Sequence, residues 1–179
     1  FIIITSPTTT YYPDEVNLVI EEHYTRASKG GVGFAKAAGN YAATFYPTKL
    51  AHSKGFQQVI WMDSKEHKYI EECGTMNIWF RIGDKLITPK LSDSILDGIT
   101  RDSIITLARD IGIVVEEIKV LVHDLIEAYD AGELKEVFGT GTAVAVSPIT
   151  SITFREKKMI LPIAEDSFAL RLKEEMQGI

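Results

Sequence analysis

The stretch SDSILDGITRDSIITLARDIG, residues 92–112, holds the clearest helix of the chain and governs the reading of its neighbours. Ile104, Ile105, Leu107, Ala108 and Ile111 recur at three- and four-residue spacing, which lays them on one helix face that Gly112 ends. Two apolar runs precede it, IWFRI and KLIT, joined across Gly83-Asp84 as a hairpin would be. VVEEIKV, residues 114–120, follows it and reads as a strand. A helix enclosed by strands predicts an α/β domain rather than a sandwich or a bundle.

Further out the alternation continues. In VNLVIEE, residues 16–22, Val16, Leu18 and Ile20 alternate as in a half-buried strand, and VIWMD, residues 59–63, reads as a buried one. TKLAHSKG, residues 48–55, has helical composition with Gly55 as its stop, and HDLIEAYDAG, residues 123–132, is a helix closed by Gly132. EVFGTGTAVAVSPI, residues 136–149, predicts a strand, a glycine turn, then a small-residue strand or a helix start. DSFALRLKEEM, residues 166–176, is an amphipathic helix with Asp166 expected as its cap. FIIIT, residues 1–5, reads as a buried strand; opening on it without an initiator methionine, the chain is expected to be a fragment of something longer.

Composition narrows the function. The 179 residues suit one domain, and acids outnumber bases 25 to 19 with no Lys/Arg cluster, which argues against nucleic acid as a partner. No run approaches the ~20 apolar residues of a membrane span. Cys73 is the sole cysteine, so an intrachain disulfide is impossible and a reducing, cytoplasmic setting is expected. His23, His52, His67 and His123 form no HExxH pair and lie at no metal-ligand spacing with Cys73, so no metal site is expected. Neither a GxSxG elbow nor a P-loop occurs.

Four segments could carry chemistry. GFAKAAGNYAAT, residues 33–44, surrounds Lys36 with small residues and follows it with Tyr41: an ordinary glycine-punctuated loop, or a place where something flat approaches the backbone. Asp97-Gly98-Ile99-Thr100 leads into the best helix, where free N–H groups make an anion site or Thr100 serves as a plain N-cap. Gly139-Thr140-Gly141-Thr142-Ala143 is a tight turn, or a turn that admits a ligand's oxygens. In IEECGTMNIWF, residues 70–80, propensity favours a solvated acidic pair at Glu71 and Glu72.

Taken together, AKAAGNY, ECGTMN, ILDGITR and FGTGTA resemble, in order and spacing, the motifs of the branched-chain amino-acid aminotransferases, pyridoxal 5'-phosphate enzymes of fold type IV. The resemblance runs from about Ser6 to the C-terminus. It implies a mixed-sheet pseudo-barrel with surrounding helices, the larger C-terminal domain of the D-amino-acid aminotransferase-like fold. Residues 1–179 would then be the cofactor-binding domain, with the family's small N-terminal domain absent and the activity of this piece alone impaired or lost.

By the same resemblance Lys36 is the catalytic lysine that bonds the cofactor aldehyde and moves the substrate proton. Tyr41 meets the ring's 3' oxygen, Glu72 the ring nitrogen, and Ile99, Thr100 and Thr142 the phosphate. Thr75, which the resemblance also counts among the cofactor-binding residues, lies with Thr142 and Ala143 near the substrate and its carboxylate. The implied reaction exchanges amino groups between leucine, isoleucine or valine and 2-oxoglutarate, in a homodimer. Ala38 and Asp97 stand where the family more often has glycine and proline, and Val144 and Ser147 occupy the positions of a CxxC pair found in mammalian members. Cys73 is expected to be buried and inert. Same-fold rivals are a D-amino-acid aminotransferase and an aminodeoxychorismate lyase, against which GTMN and FGTGTA weigh. A non-catalytic domain would have no chemical need to keep Lys36, Tyr41, Glu72 and Thr142.

Overall fold

The computed structural model describes residues 3–5 and 16–178. Eleven strands and four helices follow one another as β1 (Asn17–Ile20), α1 (Ala38–Ser53), β2 (Gln58–Met62), β3 (Tyr69–Cys73), β4 (Asn77–Ile82), β5 (Lys85–Pro89), α2 (Ile99–Asp110), β6 (Val114–Ile118), β7 (Val120–Leu121), α3 (Val122–Asp130), β8 (Leu134–Gly141), β9 (Ala145–Ile149), β10 (Ser151–Phe154), β11 (Lys157–Ile160) and α4 (Phe168–Gln177). They form two mixed sheets, ordered β11-β10-β1-β2-β3-β7 and β6-β5-β4-β8-β9. β1 runs parallel to both β10 and β2, and β5 parallel to β6; the other pairs are antiparallel.

The chain passes between the sheets at the turn after Cys73, at Lys119, through α3 and at Thr150. Residues from both sheets share one core, Leu18, Ile60, Ile70, Ile78, Phe80, Val137 and Ile152 among them, and Val122 and Leu125 of α3 join it. The opposite faces of the same strands are covered too. Trp79, Leu86 and Phe138 pack under Ile104, Ile105 and Ala108 of α2 and Ala169 and Leu172 of α4. Val59 and Trp61 pack under Ala51 of α1. This double burial explains why VIWM and IWF are unbroken apolar runs, whereas a strand wetted on one face alternates. The architecture is the expected pseudo-barrel with helices outside it.

Most element expectations hold, with instructive exceptions. Gly55, Gly83, Gly112 and Gly132 all have positive φ at the stops and turn anticipated for them. The helix ending near Gly55 starts ten residues before the expected stretch, at Ala38, and runs through Pro47. Residues 114–121 are two strands, one in each sheet, because the run bends at Lys119 to change sheets. The segment after the Gly141 turn is a strand, β9, paired antiparallel with β8. Of FIIIT, Ile3 and Ile4 are 76 % and 86 % exposed and pair with no described strand. A β-prone run becomes a strand only where a sheet edge receives it; Phe1 and Ile2 lie outside the described residues.

The cap of α4 is Ser167, whose Oγ accepts the Leu170 N–H, rather than Asp166. Asp166 instead accepts from Arg81 Nη2 at 2.9 Å, while buried Glu136 accepts from Ser167 Oγ at 2.6 Å, Phe168 N at 2.6 Å and Ala169 N at 3.2 Å. Glu136 thus takes up the N-terminal donors of α4 from the neighbouring sheet. Glu136→Ala is expected to lower stability by about 2–3 kcal/mol, read from denaturant unfolding, because charge-assisted bonds are lost and donors left bare. Among the described residues no helix is long and apolar enough to cross a membrane.

Candidate active site

The loop before α1, the crossing after Cys73, the loop that leads into α2 and the turn after Gly141 meet around one cavity of about 570 Å³. Lys36, Tyr41, Glu72, Thr75, Ile99, Thr100, Thr142 and Ala143 all line it. Sequence positions more than a hundred residues apart are therefore brought to a single wall. They come from a turn, two helices, a strand and two further turns.

Lys36 ends a tight turn just before α1, exposed toward the cavity mouth, with Nζ 3.4 Å from the Tyr41 hydroxyl. That turn is held at several points. Buried Asn40 donates through Nδ2 to the carbonyls of Val32 and Ala35, each at 2.9 Å. Phe34 N–H donates to Asp93 O at 3.0 Å, and Arg26 Nη2 to Gly33 O at 3.0 Å and to Ser94 O. A Cβ on Gly33 would lie 2.6 Å from Ala27 Cβ and from Ser94 Cα, so a glycine is needed where these backbones touch. Ala38, by contrast, is exposed at the first position of α1 and needs no glycine.

Glu72 is not part of a solvated acidic pair. Its side chain is buried on β3, with Oε2 2.7 Å from Arg26 Nε and Oε1 accepting the Leu96 N–H at 2.7 Å. The Nε contact lies off the hydrogen-bond direction, so the two groups meet as an ion pair. Burial pushes the Glu72 carboxyl up to about 7, against the pull of Arg26 and the Leu96 N–H. Glu71 is half-buried and accepts from Ser94 Oγ; burial raises its carboxyl above the usual range. Burial likewise pushes the Cys73 thiol up, leaving it a protonated, inert side chain as expected.

The far end of the cavity is built from backbone. Gly98 is the N-cap of α2 with φ −76° and ψ 130°, and no side chain caps the helix. Thr100 is the second helical residue, not the cap, so the first-turn N–H groups face the cavity without a side-chain acceptor. Asn77 ties this loop to β4 by donating to Leu96 O at 2.9 Å. Opposite, the turn after Gly141 carries Thr142 and Ala143, closed by Val144 N–H to Gly141 O at 3.1 Å. Trp79 Nε1 donates to buried Thr140 Oγ1 at 2.9 Å and steadies β8 beneath that turn.

Arg26, Asn40 and Asn77 were not anticipated. Asn40 stood within GNY and Asn77 within ECGTMN, but Arg26 reaches the site only through tertiary contacts that leave no spacing signal. His123, Asp124 and Glu127 gather ligand-type atoms within 4.8 Å on the exposed face of α3, a grouping that exposed acids commonly make without an ion.

Known proteins match this arrangement. The family model for amino-transferase class IV matches residues 1–152. A probable branched-chain-amino-acid aminotransferase of Staphylococcus aureus (strain N315) is 48 % identical over 164 residues, covering 89 % of this chain and 46 % of that protein. A branched-chain aminotransferase of Thermoproteus uzoniensis, solved with norvaline, superposes with a TM-score of 0.81 at 25 % identity, covering 96 % of this chain and 54 % of that one. A branched-chain amino acid aminotransferase from T.th., solved with pyridoxamine 5'-phosphate, gives 0.73 at 27 % identity, over 92 % and 50 % of the two chains. The chain thus spans about half the length of the relatives it matches. With the family's model covering most of its length and its fold reproduced, this chain belongs to the class IV aminotransferases.

Proposed function

We propose that residues 1–179 are the larger, cofactor-binding domain of a cytoplasmic branched-chain amino-acid aminotransferase that works as a homodimer with pyridoxal 5'-phosphate. Its substrates are leucine, isoleucine and valine, with 2-oxoglutarate as the amino acceptor. One observation carries this reading: a lysine, a buried carboxylate and an uncapped helix start line a single cavity. These are the three donor types that an aldehyde, a pyridine nitrogen and a phosphate require. When bound, pyridoxal phosphate supplies an electron sink for the charge left on the substrate's Cα.

The residues divide the work. Lys36 Nζ would hold the cofactor through its aldehyde and serve as the group that moves the proton at the substrate's Cα, while the Tyr41 hydroxyl, 3.4 Å from that nitrogen, would orient the ring oxygen. Glu72, whose carboxyl burial pushes up to about 7, would hold a proton at the ring nitrogen, and Arg26 keeps that carboxylate in place. The N–H groups of Ile99 and Thr100 and the Thr142 hydroxyl bind the phosphate. Thr75, Thr142 and Ala143, which line the same cavity, would meet the substrate. Val32, Phe34, Phe45 and Tyr46 are exposed around the Lys36 turn and α1, an apolar face suited to being covered in the dimer of the longer protein.

Borohydride reduction with added pyridoxal phosphate, followed by peptide mapping, is expected to label Lys36. A label on another lysine, or none in the full-length protein, overturns the site.

A further inference from the structure

Residues 92–98 lead from β5 into α2 and are gripped from two sides. On the lysine side, Asp93 O accepts the Phe34 N–H at 3.0 Å and Asp93 Oδ2 accepts the Gly30 N–H at 2.7 Å. The Ser94 carbonyl accepts from Arg26, whose guanidinium also holds Gly33 O. On the helix side, Leu96 N–H donates to Glu72 and Leu96 O accepts from Asn77, two residues before Gly98 caps α2. Among the described residues no hydrogen bond runs directly from the turn at 30–36 to residues 96–102. The loop between them is what joins the two.

One side chain holds the middle of that loop. Ser94 is buried, and its Oγ donates to the Glu71 carboxylate, with Ser92 Oγ 3.0 Å away. Glu71 and Glu72 are consecutive on β3, and strand alternation gives them different partners. Glu72 takes the Leu96 N–H inside the cavity; Glu71 takes the Ser94 hydroxyl outside it. The strand thus grips the loop at two points, two residues apart. A half-buried carboxylate is costly without a partner, and Ser94 supplies one. Ser94 Cα is also the atom that obliges residue 33 to be glycine, so any shift of Ser94 passes to the turn that carries Lys36.

We propose that Ser94, held by Glu71, is a positioning residue that fixes the spacing between Lys36 and the start of α2. These are the groups that would hold the two ends of the cofactor, and that assignment rests on the function proposed above. The coupling of the two segments through Ser94 does not. The bond rather than the charge of Glu71 carries the effect, because a neutral acceptor in the same place holds the same hydroxyl.

The test uses the full-length protein and its Ser94→Ala, Glu71→Ala and Glu71→Gln variants, each verified as folded by circular dichroism. Amide hydrogen exchange, followed by mass spectrometry, reads the coupling without cofactor. Ser94→Ala and Glu71→Ala are expected to speed exchange about tenfold in the peptides holding Phe34 and Leu96 alike, the scale of one lost hydrogen bond, and to leave α3 unchanged. Glu71→Gln, whose Oε1 still accepts from Ser94, is expected to stay within about threefold of the parent. Titration with pyridoxal phosphate adds a readout that a purely structural role would not move. Ser94→Ala is expected to weaken cofactor affinity about tenfold and to lower kcat, since the misplaced lysine meets its target less often. The KM for the amino acid is expected to change by less than about twofold, because the turn after Gly141 takes no described hydrogen bond from residues 92–98. Exchange rising at one end alone or at neither, Glu71→Gln matching Glu71→Ala, or cofactor affinity unchanged in Ser94→Ala would each overturn the proposal. A parent that binds no pyridoxal phosphate sinks the function proposed above instead, and the exchange result still decides the coupling.

Discussion

Lys36→Ala is expected to abolish the borohydride-stable pyridoxal label and to lower the proposed transamination by the full-length protein about 10²–10⁴-fold, while the fold persists. The rate loss is that of removing a positioned proton carrier, compounded by loss of the nucleophile. The fold persists because Lys36 is exposed and its side chain meets only the Tyr41 hydroxyl and ring. The anchors of its turn are backbone carbonyls held by Asn40 and Arg26, which the substitution leaves intact. Lys36→Arg should be no better, since a guanidinium stays protonated and makes a poor nucleophile. Thermal melts alongside single-turnover assays separate the two effects. Activity within tenfold of the parent would remove Lys36 from the chemistry.

Arg26→Ala is the second large effect, and it reads out in stability. The substitution leaves the buried Glu72 carboxylate without its counter-charge and releases the carbonyls of Gly33 and Ser94. Breaking a buried pair from one side costs about 3–5 kcal/mol. The sign with pH follows from Glu72. Its carboxyl is raised from 4.5 to about 7 in the folded chain, so between those values the folded form holds the extra proton. Stability attributable to Glu72 therefore falls as pH rises from 4.5 to 7 and stays low above that. Without Arg26 the folded carboxyl rises further, and the cost window extends above pH 7. The variant's loss is thus expected to be largest near pH 8 and to shrink toward pH 5, where a protonated Glu72 needs no partner. Melting temperatures of the two proteins at those pH values provide the check. An equal loss at both would reduce Arg26 to a packing role.

The site was only partly legible before folding. Lys36, Tyr41 and the two turns could be singled out because small residues, a helix start and glycine pairs are local features. Glu72 was different. Local propensity places it in a solvated acidic pair, and only its likeness to a known motif pointed to the cavity. What contradicts propensity is Arg26, 46 positions away, which makes burial of a carboxylate tolerable. Asp166 was a good cap by type, yet Arg81 claims its carboxylate and Ser167 caps α4 instead.

Local sequence was enough to set the hairpin at Gly83, the face of α2, the glycine stops, and the α/β class. Those follow from side-chain periodicity and from φ angles that glycine adopts cheaply, which are properties of neighbouring residues. Contacts across the fold were needed to divide residues 114–121 between two sheets, to start α1 at Ala38, and to bury and pair Glu72. These outcomes depend on partners brought together from distant parts of the chain, and the energy of burying or pairing a charge is set where the chain folds back on itself.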